Sequence, residues 1–169
     1  PVIAGTGTND TAHSVHLTKE ATKLGVAGIL AVTPYYNRPS QAGIEAHMHA
    51  MCAATSLPVV VYDIPVRTGR KISTQLLLKL AREVKNVAAV KDAAGNPAES
   101  AVLMSQAPAG FELYSGDDGL TLPFMAIGGS GVIGVATHWT GSDHQEMFDC
   151  WAKGDVDGAR RINARMLES

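Results

Sequence analysis

The sequence predicts an α/β fold built on a parallel sheet. Short apolar, β-branched runs recur six times along the 169 residues, each followed by turn residues. The segments between them place their apolar residues at helical spacing. The runs are also apolar at nearly every position, which is the pattern of strands covered on both faces and not of a half-solvated antiparallel sheet.

In chain order, Val2-Ile3-Ala4 reads as a first strand, followed by a helix from Asp10 or Thr11 to Leu24. Gly28 to Val32 is the second strand, with a helix from Ser40 to Thr55 behind it, and Val59 to Tyr62 is the third. The next helix, Ser73 to Val84, is the most explicit: Leu76, Leu77, Leu80, Ala81 and Val84 share one face, Lys79, Arg82 and Glu83 the other, and Ser73 offers an N-cap. Val87 to Val90, a helix over Pro97 to Gln106, and Phe111 to Tyr114 continue the alternation. Val132 to Ala136 is the sixth strand, a helix over Ser142 to Lys153 follows, and a last helix runs from about Val156 to the C-terminus. No composition shift divides the chain, so residues 1–169 read as one domain. Both the doubly wound sheet and the (β/α)8 barrel use this alternation, and strand spacing alone does not separate them.

Composition narrows the function. The chain is 46% hydrophobic and 18% charged, with a formal net charge of -2, so it offers no basic surface for a nucleic-acid backbone. Its longest apolar runs, such as Leu57 to Tyr62, fall far short of the roughly 18 residues that cross a bilayer. Two isolated cysteines, Cys52 and Cys150, make no disulfide framework and read as buried thiols in a reducing, cytoplasmic setting. His13, His16, His47 and His49 lack a surrounding ligand set and read as solvated helix residues. Gly5-Thr6-Gly7 is a weak match to a dinucleotide loop, since Asp10 stands where the third glycine belongs.

In either architecture chemistry sits at the carboxyl ends of the strands. Those ends carry Thr33-Pro34-Tyr35-Tyr36, Tyr62 with Arg67, Lys91-Asp92, Ser115-Gly116-Asp117-Asp118 and Thr137-His138. Lys91 follows an apolar run directly. It is paired with Asp92 or Asp117, exposed at the rim, or desolvated; desolvation lowers an amine pKa and supplies the neutral nucleophile that attacks a carbonyl. Tyr62 is either a proton relay or a core aromatic, and Arg67 either holds a carboxylate or fixes a turn. Asp117-Asp118 before Gly119 reads as a cap for the following helix.

The motifs TPYYNRP at 33–39, YDIPVRTG at 62–69, VKDAAGN at 90–96, SGDD at 115–118 and GGSGVIGV at 128–135 together resemble the dihydrodipicolinate synthase and N-acetylneuraminate lyase family of class I aldolases. The resemblance covers essentially the whole chain. It implies an incomplete (β/α)8 TIM barrel of about six strand-helix units, carrying strands three to eight. By the same resemblance Lys91 forms an imine with pyruvate and Tyr62 shuttles protons. Tyr36 crosses a subunit interface to complete a neighbour's relay. Arg67 binds the carboxylate of L-aspartate semialdehyde, and the backbone at Gly116 and Ile133 lies along the pyruvate pocket. The family scheme uses no cofactor and no metal, belongs to lysine and diaminopimelate biosynthesis, and runs in a dimer of dimers. Sugar-acid or keto-acid aldolases of the same family are the alternative, against which Arg67 argues.

Two departures from the family pattern set further expectations. A Gly-Thr-Thr-Gly-Glu relay motif is missing from the chain, and Pro1 matches a point inside the third barrel strand. The chain therefore reads as a fragment with two open sheet edges, expected to aggregate or recruit a partner and to be inactive alone. Asn9 matches a contact residue of the family's lysine pocket. His13 stands where an acidic residue holds the lysine ammonium, so weak or absent feedback is expected.

Overall fold

Six parallel strands form one sheet in strict chain order: β1 (Ile3–Gly5), β2 (Gly28–Val32), β3 (Val59–Asp63), β4 (Val87–Asp92), β5 (Glu112–Ser115) and β6 (Gly131–Val132). The structure, a computed structural model, describes residues 1–167. A doubly wound sheet reverses its strand order at a switch point. This sheet never does, so the two architectures left open by the sequence resolve in favour of an incomplete barrel.

The connecting helices are α1 (Thr11–Lys23), α2 (Gln41–Ala53), the single turn α3 (Pro65–Thr68), α4 (Thr74–Glu83), α5 (Pro97–Gln106), α6 (Thr121–Ala126), α7 (Thr137–Ala152) and α8 (Val156–Met166). Their starts are set by local chemistry. Asp10, Ser40, Ser73 and Asn96 each accept a hydrogen bond from a backbone N–H of the first turn, at His13, Gly43, Leu76 and Glu99 respectively. Pro97 occupies the first position of α5, where its missing N–H costs nothing. No helix among the described residues is long and apolar enough to cross a membrane.

The core lies between the sheet and these helices. Ala31, Val61, Val90 and Leu113 are in register across four strands and all fully buried. With Ile29 and Val59 they pack among Ile44, Met48, Met51, Leu76, Leu77, Leu80 and Leu103 of α2, α4 and α5. A smaller cluster of Met125, Met147, Ala159 and Ile162 joins α6 to α7 and α8. On the other face the row Val32, Tyr62, Lys91 and Tyr114 is only half-buried. Covering on both faces thus holds for the helix side and only partly for the other.

Several elements differ from expectation. The sixth strand ends at Val132, because the N–H groups of Val135 and Ala136 donate to the Asp118 carboxylate (3.0 and 3.2 Å) and leave no ladder to continue. Thr137 and His138, expected at a strand end, open α7 instead, which starts five residues before Ser142 and is kinked at Thr140 (φ -108°, ψ 17°). The short α3 and α6 were not foreseen. His47 is buried, not solvated: its Nδ1 bonds Thr11 Oγ1 at 2.8 Å across α1 and α2, and burial lowers its pKa. Cys52 is buried and its thiol is pushed up to about 11, whereas Cys150 is only half-buried. The final residues of the predicted last helix, 168–169, lie outside the described residues.

Candidate active site

Strand alternation explains why chemistry and scaffold occupy neighbouring residues. Tyr62 and Lys91 are cross-strand partners at the carboxyl ends of β3 and β4, and Asp63 and Asp92 are the next pair. Successive side chains on a strand point to opposite faces, so the tyrosine and lysine face away from the helices while both aspartates turn toward them. Asp92 is buried, accepting from Ser100 Oγ (2.6 Å) and the Ala94 N–H (2.8 Å). Asp117 accepts from the Gly119 N–H at 3.0 Å, as the expected cap. Both carboxylates are occupied elsewhere. The pairing of Lys91 with Asp92 or Asp117 does not occur, and among the described residues Lys91 makes no ion pair.

Lys91 Nζ instead lies 4.1 Å from the centroid of the Tyr62 ring. Burial lowers its pKa, with the charge of Asp118 opposing. Burial raises the pKa of Tyr62, with Arg67 opposing. Burial therefore shifts Lys91 toward the neutral amine and Tyr62 toward the protonated phenol, a nucleophile beside a proton donor. On the other flank Tyr114 is in register with Lys91. Its hydroxyl donates to Glu112 (2.7 Å), and burial together with that carboxylate pushes the phenol up to about 12.

Gly116 leaves the space Lys91 uses. A Cβ there would stand 3.1 Å from Lys91 Cε and 2.8 Å from Ala93 Cβ. Its N–H donates to the Asp92 carbonyl (2.7 Å), and the Ile133 N–H donates to the Ser115 carbonyl (2.9 Å), which fixes both backbones at the same rim. Tyr36 and Arg67 join Tyr62, Val32, Tyr35, Ile64 and Thr68 around one pocket. Arg67 sits in the single turn α3, ended by Gly69 in the left-handed region (φ 73°). Tyr36 is 88% exposed and adopts φ 74°, rare for a side chain of its size. The structure therefore collects Lys91, Tyr62, Gly116, Ile133, Arg67 and Tyr36 on one rim.

Three further residues contribute, of which the sequence places only Thr33 among the strand-end groups. Asp63, 1% exposed, accepts from the Ile72 N–H (3.2 Å) and so ties down the loop that carries Arg67; burial raises its pKa to about 7, with the Ile72 bond opposing. The signal was present as a repeated order, Tyr62-Asp63 and Lys91-Asp92, a rim residue followed by a buried carboxylate. Thr33 is buried beside Tyr62, whose carbonyl takes its N–H, and its hydroxyl has no partner. Tyr114 reads from the sequence only as a strand residue. No group of three His, Cys, Asp or Glu side chains stands ready to hold a metal among the described residues.

The chain has known relatives in sequence and fold. Residues 1–168 match the Dihydrodipicolinate synthetase family. The 4-hydroxy-tetrahydrodipicolinate synthase of Moorella thermoacetica is 50% identical over 166 residues, 98% of this chain and 56% of that protein. The dihydrodipicolinate synthase structure from Bacillus anthracis superposes with a TM-score of 0.95 at 42% identity, covering 98% of this chain and 56% of the other. A third similar structure is the chloride-inhibited dihydrodipicolinate synthase of Acinetobacter baumannii complexed with pyruvate (TM-score 0.91, 35% identity, 97% of this chain and 56% of that one). The chain spans about half the length of these relatives. By fold and sequence alike, it belongs to the dihydrodipicolinate synthetase family.

Proposed function

We propose that this chain carries the catalytic rim of a Schiff-base-forming lyase that condenses pyruvate with L-aspartate 4-semialdehyde to 4-hydroxy-tetrahydrodipicolinate, in lysine and diaminopimelate biosynthesis. The observation that carries the proposal is Lys91: half-buried at a strand end, without an ion pair, its amine against the Tyr62 ring and its stem in the space left by Gly116. The pyruvate bound by the Acinetobacter relative supports the first substrate.

The neutral Lys91 amine adds to the keto carbon, and the carbinolamine loses water to give a protonated imine, with Tyr62 donating and accepting the protons. Loss of a methyl proton to form the enamine moves an electron pair toward the imine nitrogen, and the enamine carbon attacks the aldehyde. The amino group of the second substrate then displaces Lys91 by transimination and closes the ring. Arg67 holds that substrate's carboxylate, and the backbone at Gly116 and Ile133 lines the pyruvate site. Tyr36 completes the relay of a second copy of the chain across an interface, in a dimer of dimers. No metal or organic cofactor enters the scheme, and the setting is cytoplasmic. His13 in place of an acidic residue leaves feedback by lysine weak or absent.

The test is chemical trapping. Incubation with pyruvate and borohydride should leave a reduced adduct on Lys91, located by peptide mass spectrometry, both in the intact protein and in any version of these 169 residues that folds alone. An intact protein that turns over pyruvate without labelling Lys91 would remove the imine assignment.

A further inference from the structure

The segment between β2 and α2 contains two non-glycine residues in the left-handed region, Tyr36 (φ 74°) and Arg38 (φ 48°). Such backbone persists only where its surroundings hold it. Two hydrogen bonds do so here. Asn37 Nδ2 donates to the Asn9 carbonyl at 2.9 Å, and Arg70 Nη2 donates to the Arg38 carbonyl at 3.3 Å. The Arg38 side chain lies directly on Gly69, where a Cβ would meet Arg38 Nε at 2.7 Å, so a side chain at 69 would push the guanidinium away.

The result is a second pocket in which Arg38 and Arg67 stand together beside Tyr36. It adjoins the Tyr62 pocket, since Tyr36, Arg67 and Thr68 line both. Among the described residues neither Arg38, Arg67 nor Arg70 has a carboxylate within ion-pair distance. Arg38, from the segment after β2, thus meets Arg67 and Arg70, from the segment after β3, with no acidic side chain among the described residues in ion-pair distance of any of them. Two arginines lining one pocket offer it the planar donor forks that suit a carboxylate.

We propose that Arg38 is a second anion-binding residue beside Arg67, that Arg70 is its positioning residue, and that the pocket between Arg38 and Arg67 takes the carboxylate of a small organic acid. The inference rests on the reading of this rim as a substrate mouth and adds a specificity determinant to it. A carboxylate held by both guanidiniums leaves the rest of the acid in the adjoining pocket at Tyr62.

Sodium malonate, which has neither aldehyde nor ketone, is the probe, titrated calorimetrically into the intact protein. Binding is expected in the wild type, weakening as salt is added. R67A and R38N should each weaken it about tenfold, the loss expected for a charge-assisted hydrogen bond. Asn adopts the left-handed region more readily than most residues, so R38N spares the loop. R38Q keeps the length without the charge and serves where R38N melts early. R70A should weaken binding about threefold on its own and not at all in the R38N background, because it acts through Arg38. Malonate binding that is absent from the wild type, or unchanged in R38N or R38Q, overturns the proposal. Borohydride trapping on the same wild-type preparation separates the two ideas. Lys91 labelled with malonate indifferent to Arg38 sinks only the clamp, and malonate bound through Arg38 with Lys91 never labelled sinks only the imine.

Discussion

The two faces of the sheet, built by the same strands, have opposite characters. Ala31, Val61, Val90 and Leu113, in one row, are fully buried against the helices. One residue further along each strand, Val32, Tyr62, Lys91 and Tyr114 form a row that is half-open and carries a lysine and two tyrosines. The difference teaches how a barrel separates tasks. The period of two assigns alternate residues to stability and to chemistry, so a change at one position can alter one with little effect on the other.

That separation can be broken from either side. The largest effect is expected from Lys91→Met: loss of the pyruvate adduct and a fall in turnover on the order of 10³-fold or more, since a covalent nucleophile is removed. Its melting temperature should stay near that of the wild type, because the side chain makes no ion pair. A large drop in melting temperature would show that the open row also holds the fold.

Leu113→Ala is the converse. It empties a fully buried site between sheet and helices and should cost about 2–5 kcal/mol in denaturant unfolding. The folded fraction should still be labelled at Lys91 by pyruvate and borohydride. Loss of labelling in folded protein would mean that the two rows are coupled.

Gly116→Ala probes the boundary. The new Cβ, 3.1 Å from Lys91 Cε and 2.8 Å from Ala93 Cβ, displaces the lysine stem. Trapping should slow by about 10²-fold, the usual consequence of misplacing a reacting group by an ångström. The stability cost should be about 1–3 kcal/mol. A trapping rate equal to the wild type would show that the stem has room to spare.

The last effect, on stability and not on chemistry, belongs to Asp63, on the scaffold side. Its pKa is raised by burial to about 7, so the folded state favours the protonated carboxyl. Relative to Asp63→Asn, the wild type should match in stability below about pH 4, lose ground as the pH rises toward 7, and keep a constant deficit above that. Melting curves of both proteins across this range measure the difference. A pH-independent difference would mean that Asp63 titrates alike in the folded and unfolded states.

Much of this was legible in the chain because it was written locally. The Ser73 cap and the helix behind it follow from side chains three and four residues apart, and α5 spans Pro97–Gln106 as its proline and apolar spacing predict. The rim positions of Lys91 and Tyr62 follow from the apolar runs that precede them. Other features depended on residues far away in sequence. The end of β6 is set by Asp118, seventeen residues before the Val135 N–H that it accepts. His47 is buried because α1 covers it, which its own helix does not reveal.

The sequence by itself determined the alternation of strands and helices, the caps, and the residue types offered at the strand ends, because these rest on backbone preference and short-range periodicity. Tertiary structure alone decided that the strands follow one another as a barrel arc, and that Asp92 turns away to Ser100 and leaves Lys91 beside a tyrosine ring. It alone brings Arg38 onto the turn at Gly69. Register, desolvation and the meeting of charges depend on contacts between distant segments, and those exist only once the sheet has formed.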